Sequence, residues 1–478
     1  MTNLVVKVFK FANLHPSKPA IIDEEGTIQT YKDLKNAIEI KKKVLVKNGI
    51  KKGDRVILLA EKGIEFPSDY LAVHAVGGIS VPLDPNIPKQ RLVKLKNICQ
   101  PKFILSNNRE IQEITKIEDE NYKGYKHNTS LSFNDSEICD LLFTSGTTGE
   151  PKGVLLTHQN IISAAHNINL FIGTKNFDKE LIALPLSHSF GLGRLRCVLS
   201  IGGSIILVNG FSRPQRIFNS IDRHNVTGLS MVPAAWKLLH KMSGNRLGTY
   251  KDQLRYIEIG SASLEQHHKR KLCELLPNTR ICMHYGLTEA SRATFVEFHE
   301  DFKELDSIGR PSPLCDISIM NEKGDEINVN EIGEICVKGP MIFKRYWKNN
   351  ELTKASFFGK WFRTGDLGYV DEKGYLFLHG RKSEMINVGG QKVSPNEIEA
   401  AIKEISGVKD AACIGVPDEI AGEVVKAFIV TTTKKFSEKE LSHSLSFKLE
   451  NYKIPKFYNV VSSLPKTTSG KLKRNSLK

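Results

Sequence analysis

The chain has 478 residues, of which 40% are hydrophobic and 25% are charged, a composition typical of a soluble globular protein with several domains. Its formal net charge of +15 suggests a nucleic-acid partner at first sight. The lysines are spread along the chain, however, and it has no nucleic-acid-binding motif with interleaved aromatic residues, which argues against that class. We expect a basic, solvent-exposed surface that can attract a polyanionic ligand.

Cysteine usage and the N-terminal stretch indicate the compartment. The eight cysteines are scattered and none forms a C-x-x-C pair, which argues against a zinc site and a disulfide framework and favours a reducing compartment. The N-terminal stretch lacks the apolar core and the small-residue cleavage site of a signal peptide. No apolar run approaches the ~20 residues of a membrane-spanning helix. We therefore expect a cytoplasmic protein without a membrane span.

Residues 20–105 alternate between strand and helix patterns. Thr30 and Asp33 give an N-cap signal for one helix, and Gly49 ends that helix. The alternation predicts a parallel sheet with helices on its faces. Residues 107–136 are polar and poorly patterned, so we expect a connection there. The predicted strands are 20–23, 27–30, 55–60, 79–81 and 102–105, and the predicted helices are 31–48, 66–76 and 89–98.

A stretch rich in glycine and hydroxyl residues follows the apolar run 138–143, which has the length of a buried strand. Residues 144–153 read TSGTTGEPKG. The three glycines, Gly153 included, let the backbone bend back and approach a ligand closely. The hydroxyls and backbone N–H groups can donate to phosphate oxygens, and Lys152 adds a cation. A plain turn is an alternative, because Pro151 and Lys152 break the usual P-loop pattern G-x-x-x-x-G-K-[ST].

Candidate site residues also follow strand ends further along the chain. Residues 181–192 read LIALPLSHSFGL, and His188 lies just past a strand, where ligands sit in open α/β sheets. A strand at 256–259 runs into the small residues Gly260, Ser261 and Ala262. A single histidine or a small-residue turn is more often structural than functional. The alternation continues through predicted helices 159–171 and 214–224 and predicted strands 204–208 and 228–232.

Three later stretches combine glycine with charged or aromatic residues. Residues 281–291 read ICMHYGLTEAS, residues 361–371 read WFRTGDLGYVD, and residues 464–477 read LPKTTSGKLKRNSL. Taken singly, they are compatible with a strand end, a turn and a frayed basic tail. Glycine-bounded segments at 307–311 and 333–346 predict a small β-rich subdomain. Helix 396–405, strands 411–416 and 425–430, helix 438–451 and strand 458–461 predict a compact α+β module.

Together these stretches resemble the adenylate-forming superfamily, which contains acyl- and aryl-CoA ligases, peptide-synthetase adenylation domains and beetle luciferases. Residues 144–153 match its pattern [ST]-S-G-[ST]-T-G-x-P-K-G at every fixed position, and Y-G-x-T-E, R-T-G-D and P-[KR]-T-x-[ST]-G-K follow in order. The resemblance implies an α/β fold. We expect a large N-terminal domain, 1–380, of parallel-sheet α/β subdomains plus the β-rich subdomain, followed by a small mobile α+β C-terminal domain, 381–478.

The resemblance also implies a two-step reaction. A carboxylic acid attacks the α-phosphorus of ATP, with Mg²⁺ present, to give an acyl-adenylate and pyrophosphate. A thiol then attacks the adenylate and AMP leaves. The thiol belongs to CoA or to the phosphopantetheine arm of an acidic carrier protein, and the resemblance does not distinguish these acceptors.

By resemblance, some of the ATP-binding residues donate hydrogen bonds to the phosphates, others lie on the two sides of the adenine, and one supplies a carboxylate that binds the ribose. Tyr285 is expected to stack on adenine, and Asp366 is expected to accept bonds from the ribose hydroxyls. The full expected set is Thr144, Ser145, Gly146, Thr147, Thr148, Gly149, Lys152, Gly260, Ser261, Ala262, Tyr285, Gly286, Thr288, Asp366 and Arg381.

The resemblance assigns catalytic roles to Lys471, to His188 as a gate between acid and ATP, and to Glu289, which also holds Mg²⁺. Ser383 aligns with the hinge, where relatives carry Asp or Lys. Gly389 and Gly390 match a thiol tunnel, and the acid pocket is expected to include Phe190, Gly191, Val232, Ala234 and Met283. Its wider lining is expected from 188–194, 232–236, 260–263, 283–286 and Ser291.

Several alternatives stay open at this point. No acidic residue follows His188, which favours a fatty, short-chain or aryl acid over an amino acid. Arg194 and Arg196 could meet a second carboxylate of the substrate, although a helix surface is the expected place for them. A luciferase-like oxygenase and a non-enzymatic nucleotide-binding regulator are the rival classes. The intact Glu289, Asp366 and Lys471 argue against a regulator.

Overall fold

The structure is a computed structural model that describes residues 3–105, 134–145, 151–389, 391–418, 421–432, 437–467 and 470–477. The chain divides into two compact units. The first unit takes in the described parts of Met1–Leu305, Pro311–Asp316 and Lys338–Phe362, and the second those of Asp306–Arg310, Ile317–Val337 and Arg363–Lys478. The division into domains 1–380 and 381–478 stays a prediction.

Helices and strands alternate through most of the first unit, and strands predominate in the second. The helices are α1 Leu4–Leu14, α2 Tyr31–Lys47, α3 Glu65–Ala75, α4 Lys89–Cys99, α5 His158–Ile172, α6 Ser189–Ile201, α7 Pro214–His224, α8 Pro233–Ser243, α9 Gln266–Leu275, α10 Asn350–Ala355, α11 Pro395–Lys403 and α12 Glu438–Ser446.

The strands are β1 Pro19–Ile22, β2 Ile28–Thr30, β3 Arg55–Leu59, β4 Ile79–Leu83, β5 Phe103–Leu105, β6 Ile138–Ser145, β7 Pro151–Thr157, β8 Lys179–Ile182, β9 Ser204–Leu207, β10 Gly228–Met231, β11 Tyr256–Ile259, β12 Arg280–Tyr285, β13 Thr294–Glu297, β14 Arg310–Pro311, β15 Asp316–Met320, β16 Gly333–Lys338, β17 Arg345–Tyr346, β18 Phe357–Phe358, β19 Trp361–Val370, β20 Leu376–Arg381, β21 Ile386–Val388, β22 Gln391–Val393, β23 Val408–Asp418, β24 Gly422–Thr431 and β25 Phe457–Val460.

Two largely parallel sheets form the first unit. One has the strand order β14-β13-β12-β11-β10-β8-β9-β1-β2, in which the strands from β12 to β1 run parallel, while β13 is antiparallel to β12 and β2 is antiparallel to β1. The other has the order β17-β7-β6-β4-β3-β5, with β3, β4, β5 and β6 parallel. The predicted α/β architecture is thereby confirmed. No helix in the described ranges is long and apolar enough to cross a bilayer.

Helix α2 illustrates how local sequence sets an element. Asp33 N donates to Thr30 Oγ1 and Thr30 N to Asp33 Oδ2, both at 3.1 Å, so a capping box satisfies the first turn. Leu34, Ile38 and Leu45 recur on one face and are buried. The prediction of helix 31–48 is therefore confirmed to within one residue.

The structure also contains elements that the sequence did not indicate. Helices α1 and α8 and strand β7 were not predicted, and the predicted helix 438–451 ends at Ser446. Leu441 and Leu445 are buried and Leu449 packs against the same core. A helical spacing of apolar residues therefore continues into a turn, which spacing alone cannot distinguish from a longer helix.

The second unit contains two β-rich assemblies. Strands β15, β16, β19 and β20 are neighbours in that order. A second sheet has the order β22-β21-β24-β23, with β25 parallel to β24. Residues of α11 and α12 pack with this sheet around a core that includes Val393, Ile398, Ile402, Cys413, Ala427 and Leu445. This sheet with its helices is the predicted α+β module.

A buried ionic cluster joins two helices and a strand of the first unit. Asp140 of β6 is fully buried and accepts from Arg196 Nη2 of α6 at 2.6 Å and from the Tyr70 hydroxyl of α3 at 3.0 Å. His74 Nε2 lies 3.1 Å from its other oxygen. Although burial raises the pKa of a carboxyl, Arg196 and His74 hold the pKa of Asp140 below its usual value. The carboxylate therefore stays charged and fixes three elements.

Asp140→Ala is expected to lower the free energy of unfolding by about 3–5 kcal/mol, because it leaves the buried Arg196 guanidinium without its carboxylate. Urea denaturation followed by tryptophan fluorescence measures the change. The control is Glu265→Ala, which removes an exposed ion pair, 2.6 Å from Lys237 Nζ, and should change stability by less than about 1 kcal/mol. Equal losses of unfolding free energy in the two variants would show that this cluster does not stabilise the fold more than an exposed ion pair does.

Candidate active site

The predicted phosphate loop is flanked by the two strands of a hairpin. Thr144 and Ser145 end β6, and Lys152 is the second residue of β7, with Thr144 opposite Lys152 and Ser145 opposite Pro151. The strand expected at 138–143 is confirmed and extends to Ser145. Gly146, Thr147, Thr148 and Gly149 lie outside the described residues.

Gly153 has a packing role, and the predicted approach of its backbone to a ligand stays a prediction. A Cβ there would lie 2.8 Å from Leu141 Cδ1 and 2.9 Å from the Trp347 Cβ, so a side chain would collide with both neighbours. The Gly153 carbonyl also accepts from Trp347 N at 2.7 Å. Trp347 lies far along the chain, so the glycine-rich stretch alone could not indicate that packing requires glycine at this position.

Helix α6 starts at the place predicted for the acid gate. His188 is its N-cap, lies after β8 and is exposed, while Phe190 is buried in the first turn. A Cβ on Gly191 would lie 2.4 Å from the Pro185 carbonyl oxygen, so glycine allows the first turn to pack onto the incoming chain. The expectation that His188 lies past a strand end is confirmed.

The predicted adenine residues lie at the carboxyl ends of two neighbouring parallel strands. Gly260 follows β11, and Tyr285 ends β12. A Cβ on Gly260 would lie 2.0 Å from Cε1 of His284, so only glycine fits beside that ring. Ser261 takes a left-handed φ of +78°, which turns the chain towards Ala262. The two segments thus follow adjacent strands, and the roles of these residues in binding adenine stay predictions.

Thr288 and Glu289 face α6 and β17. Thr288 Oγ1 donates to Ser189 Oγ at 3.2 Å, and the Tyr346 hydroxyl donates to Glu289 Oε1 at 2.9 Å. Phe343 N donates to the Glu289 carbonyl at 2.9 Å. The carboxylate is 8% exposed and oriented by Tyr346, and Mg²⁺ takes carboxylate and phosphate oxygens. This arrangement fits a magnesium ligand, and Tyr346 is a contributor that the sequence motifs did not reveal.

A pocket opens beside Thr288 and Ser189, with about 360 Å³ of empty space including the part open to solvent. Its wall combines apolar side chains with a few polar groups. It is lined by Leu156, Asn160, Ile161, Ala164, Ala165, Ile168, Ser189, Gly193, Arg196, Thr288, Ser291 and Met341. Ser189, Gly193 and Ser291 come from the segments predicted for the acid pocket. Phe190, Gly191, Val232, Ala234 and Met283 are not part of this lining, and their roles stay predictions.

The expected surface position of Arg194 and Arg196 is wrong. Arg194 is fully buried, with Nε 2.8 Å from Glu180 Oε1 and Nη1 3.1 Å from Glu258 Oε2. Arg196 is 5% exposed, and its polar partners are Asp140 and Tyr70. Helix α6 is buried along its length, so both cations must be paired with acids from distant strands.

In the second unit, Asp366 and Arg381 face each other across β19 and β20. Arg381 Nη1 donates to Asp366 Oδ1 at 2.6 Å, and Thr364 Oγ1 accepts from Asp366 N at 3.0 Å. Gly365 between them has a φ of +73°, which glycine adopts without strain. The pairing brings together Asp366, expected at the ribose, and Arg381, expected at the ribose or phosphate, and both roles stay predictions.

The residues predicted for the hinge and for the thiol tunnel come next along the chain. Ser383 lies exposed in the 3₁₀ turn Lys382–Glu384, immediately after β20. Gly389 directly follows β21, has a φ of +58° and is exposed. Gly390 lies outside the described residues. A short exposed turn is compatible with a pivot, and the hinge role of Ser383 stays a prediction.

Lys471 is held by its backbone in a tight turn near the C-terminus. Thr467 N donates to the Lys471 carbonyl at 2.7 Å, and Lys471 N donates to Thr467 Oγ1 at 3.0 Å, while the side chain is exposed. Arg474 anchors the following residues, with Nε 2.8 Å from Glu384 and Nη1 2.9 Å from the Cys413 carbonyl. The tail is therefore not frayed at Arg474, although its basic composition gave no sign of this.

His74, Cys139 and His158 form a second group with metal-ligand chemistry, their ligand atoms lying within 4.8 Å of one another. One nitrogen of each ring is already engaged. His74 Nε2 lies near Asp140, and His158 Nδ1 accepts from Asn3 Nδ2 at 3.0 Å. Burial and the neighbouring His74 lower the pKa of His158 to about 3, so the ring is neutral at pH 7. We assign the group to the core.

Comparisons with known proteins agree with this arrangement. The model of the AMP-binding enzyme family matches residues 8–347, and that of the AMP-binding enzyme C-terminal domain matches residues 397–471. The 2-succinylbenzoate–CoA ligase of Oceanobacillus iheyensis is 32% identical over 98% of both chains. The long-chain-fatty-acid–CoA ligase of Bacillus subtilis is 35% identical over 72% of this chain and 62% of that protein.

Two solved structures have the same fold. The o-succinylbenzoate CoA synthetase of Bacillus subtilis with its acyl-adenylate intermediate has a TM-score of 0.88 and 28% identity, covering 99% of this chain and 97% of that chain. The same synthetase with ATP and a magnesium ion has a TM-score of 0.88 and 29% identity, covering 98% of both chains. The chain therefore belongs to the AMP-binding enzyme family and is an AMP-forming acid–thiol ligase.

Proposed function

We propose that this ligase activates an aryl carboxylic acid that carries a second polar or anionic group, and transfers the acyl group to CoA. The pocket beside Thr288 and Ser189 carries the proposal, because its apolar wall suits a ring and Arg196 supplies a cation. 2-Succinylbenzoate, the acid in the names of several relatives, combines an aromatic ring with two carboxylates. It is the first acid to test.

Arg196 is suited to recognise a polar group of the substrate, although its own charge is already paired within the protein. Its Nε donates to the Tyr70 hydroxyl at 2.9 Å and its Nη2 to Asp140 at 2.6 Å, which fixes the guanidinium plane. Because Asp140 already balances the positive charge, a substrate carboxylate would share the guanidinium with it. We therefore expect Arg196 to contribute more to the selection among acids than to the binding affinity for the acid.

Two alternatives keep the same two-step reaction, one with a different acid and one with a different thiol acceptor. A long-chain fatty acid is suggested by the relative of that name, but the polar residues Asn160, Ser189 and Ser291 in the pocket wall favour an acid with polar substituents. A carrier-protein phosphopantetheine presents the same thiol arm as CoA. The names of the relatives favour CoA.

The residues divide the chemistry between them. Thr288 and Lys152 donate to phosphate oxygens, Tyr285 stacks on adenine, and Asp366 and Arg381 hold the ribose and phosphate. Lys471 neutralises charge that develops on the phosphoryl oxygens as the acid carboxylate attacks. Mg²⁺, when bound at Glu289, supplies further positive charge at the phosphates. His188 gates the approach of the acid.

We further propose that residues 381–478 rotate about Ser383 between the two steps, so that Gly389 and Gly390 come to line the thiol's path. The position of Ser383 in a short exposed turn supports a pivot. The ligase is proposed to act in the cytoplasm without a nucleic-acid partner. All eight cysteines are buried free thiols, which suits a reducing compartment.

Ala164→Phe is expected to lower kcat/KM for 2-succinylbenzoate by about 10- to 100-fold, because overfilling a packed site costs about 1–3 kcal/mol. Ala164 lies on α5 in the pocket wall and is 8% exposed. Acid-dependent pyrophosphate release measures the effect, and the KM for ATP serves as the internal control. Unchanged kcat/KM in a variant of native thermal stability would show that the acid binds elsewhere.

Lys471→Ala is expected to slow pyrophosphate formation by about 10²–10³-fold, because it removes a cation that stabilises the first transition state. Conversion of supplied acyl-adenylate to the CoA thioester should be nearly unchanged. The matched control is Lys473→Ala, which removes a neighbouring exposed lysine and should leave both steps intact. An equal loss at both steps of the Lys471 variant would refute the assignment.

A further inference from the structure

Arg292 lies just beyond the Y-G-L-T-E segment and joins several elements. Its backbone has a left-handed φ of +52°, which is uncommon for a residue with a long side chain, and it is 3% exposed. Its Nη1 donates to the Ser189 carbonyl at 3.3 Å and its Nη2 to the Phe190 carbonyl at 3.2 Å, both in the first turn of α6. Its Nε donates to Glu258 of β11 at 3.1 Å.

The packing around the guanidinium is adapted to it. A Cβ on Gly193 would lie 2.6 Å from Arg292 Nη1, so glycine leaves the space that the guanidinium fills. The guanidinium carbon lies 4.9 Å from the centre of the Phe190 ring. The ring of His284 meets the same phenyl ring edge to face at 4.7 Å. Phe190 is thereby held between Arg292 and His284.

Glu258 anchors the other end of the guanidinium. It is fully buried, with His284 Nδ1 2.7 Å from Oε1 and Arg194 Nη1 3.1 Å from Oε2. Burial alone would raise the pKa of this carboxyl, but Arg292, Arg194 and His284 hold it well below its usual range. The charge that holds Arg292 therefore persists across the physiological pH range.

We propose that Arg292 is a positioning residue for acid activation, which fixes the turn carrying His188, Ser189 and Phe190 against the segment 285–289. The inference rests on the proposed function, which assigns the first of these segments to the acid and the second to the nucleotide. Thr288 Oγ1 and Ser189 Oγ, 3.2 Å apart, give a second, weaker link. A displacement of about 1 Å between reacting groups can cost 10²-fold in rate, so such a fixed link matters.

Arg194 provides a matched comparison within the same cluster. It is also fully buried and also contacts Glu258, but its closest partner is Glu180, with Nη2 2.5 Å from Oε2. Lysine at either position keeps the charge and loses the planar fork of donors. Arg292→Lys and Arg194→Lys therefore disturb the same buried charges. Arg194→Lys acts on the first turn of α6 only through the position of the helix, whereas Arg292→Lys also disrupts the two direct hydrogen bonds to that turn.

The experiment measures acid-dependent exchange between pyrophosphate and ATP, with 2-succinylbenzoate, in the full-length wild type and both variants. Thermal unfolding is measured in parallel, and rates are taken below each unfolding midpoint. We expect Arg292→Lys to lower kcat by about 10- to 100-fold more than Arg194→Lys, with the KM for ATP changed by less than about threefold. Added guanidinium ion should partly restore the rate of Arg292→Ala and leave that of Arg194→Ala unchanged.

The outcomes separate this inference from the proposed function. A wild type that catalyses no exchange with any acid would overturn both. An active wild type with equal losses in the two lysine variants, each in proportion to its thermal destabilisation, would overturn the positioning role alone. Failure of Arg292→Lys to fold while Arg194→Lys folds would show that Arg292 supports the core, and would also overturn the proposal.

Discussion

The pairing of two arginines on one buried helix with acids from strands of both sheets of the first unit is the constraint on which the rest of the site depends. Arg194 and Arg196 of α6 pair with Glu180, Glu258 and Asp140, all buried. Removing an ion from water costs several kcal/mol unless a well-placed partner compensates. Helix α6 therefore has few alternative positions, because any shift along its axis would separate charges that cannot reach solvent.

The fixed helix in turn places the groups at its first turn. His188 caps α6, Ser189 meets Thr288, and Arg292 ties the turn to Glu258. The same helix contributes part of the pocket wall through Ser189, Gly193 and Arg196. The segments of the first unit that we propose to bind the acid and the nucleotide are thus held by one ionic framework. In such an enzyme, catalysis by positioning depends on this kind of rigid support.

Elements with a strong local signal were predictable from the sequence. The capping box of Thr30 and Asp33 located α2, and the apolar run before the phosphate loop located β6. The order of the four motifs indicated the family because each motif contains several fixed residues. The proximity of Asp366 to Arg381 was also within reach, since Asp366 was expected at the ribose and Arg381 at the ribose or phosphate.

The unpredicted features depend on contacts between residues far apart in the chain. Arg196 and Asp140 are 56 residues apart, and an arginine in a helix is normally expected at the surface until its distant acid is known. The packing of Gly153 against Trp347 could not be read from the glycine-rich stretch alone. Arg292 and Tyr346 lie outside the motifs, so only their contacts with Glu258 and Glu289 reveal them.

We propose that the chain activates an aryl acid and transfers the acyl group to CoA. Pyrophosphate release by the wild-type protein with ATP and Mg²⁺ tests this, across aryl, fatty, dicarboxylic and amino acids, with and without CoA. We expect release with 2-succinylbenzoate or a related aryl acid, faster turnover with CoA, and an acyl-CoA product together with AMP. Release that depends on a fatty or amino acid alone, or that CoA leaves unchanged, would contradict it.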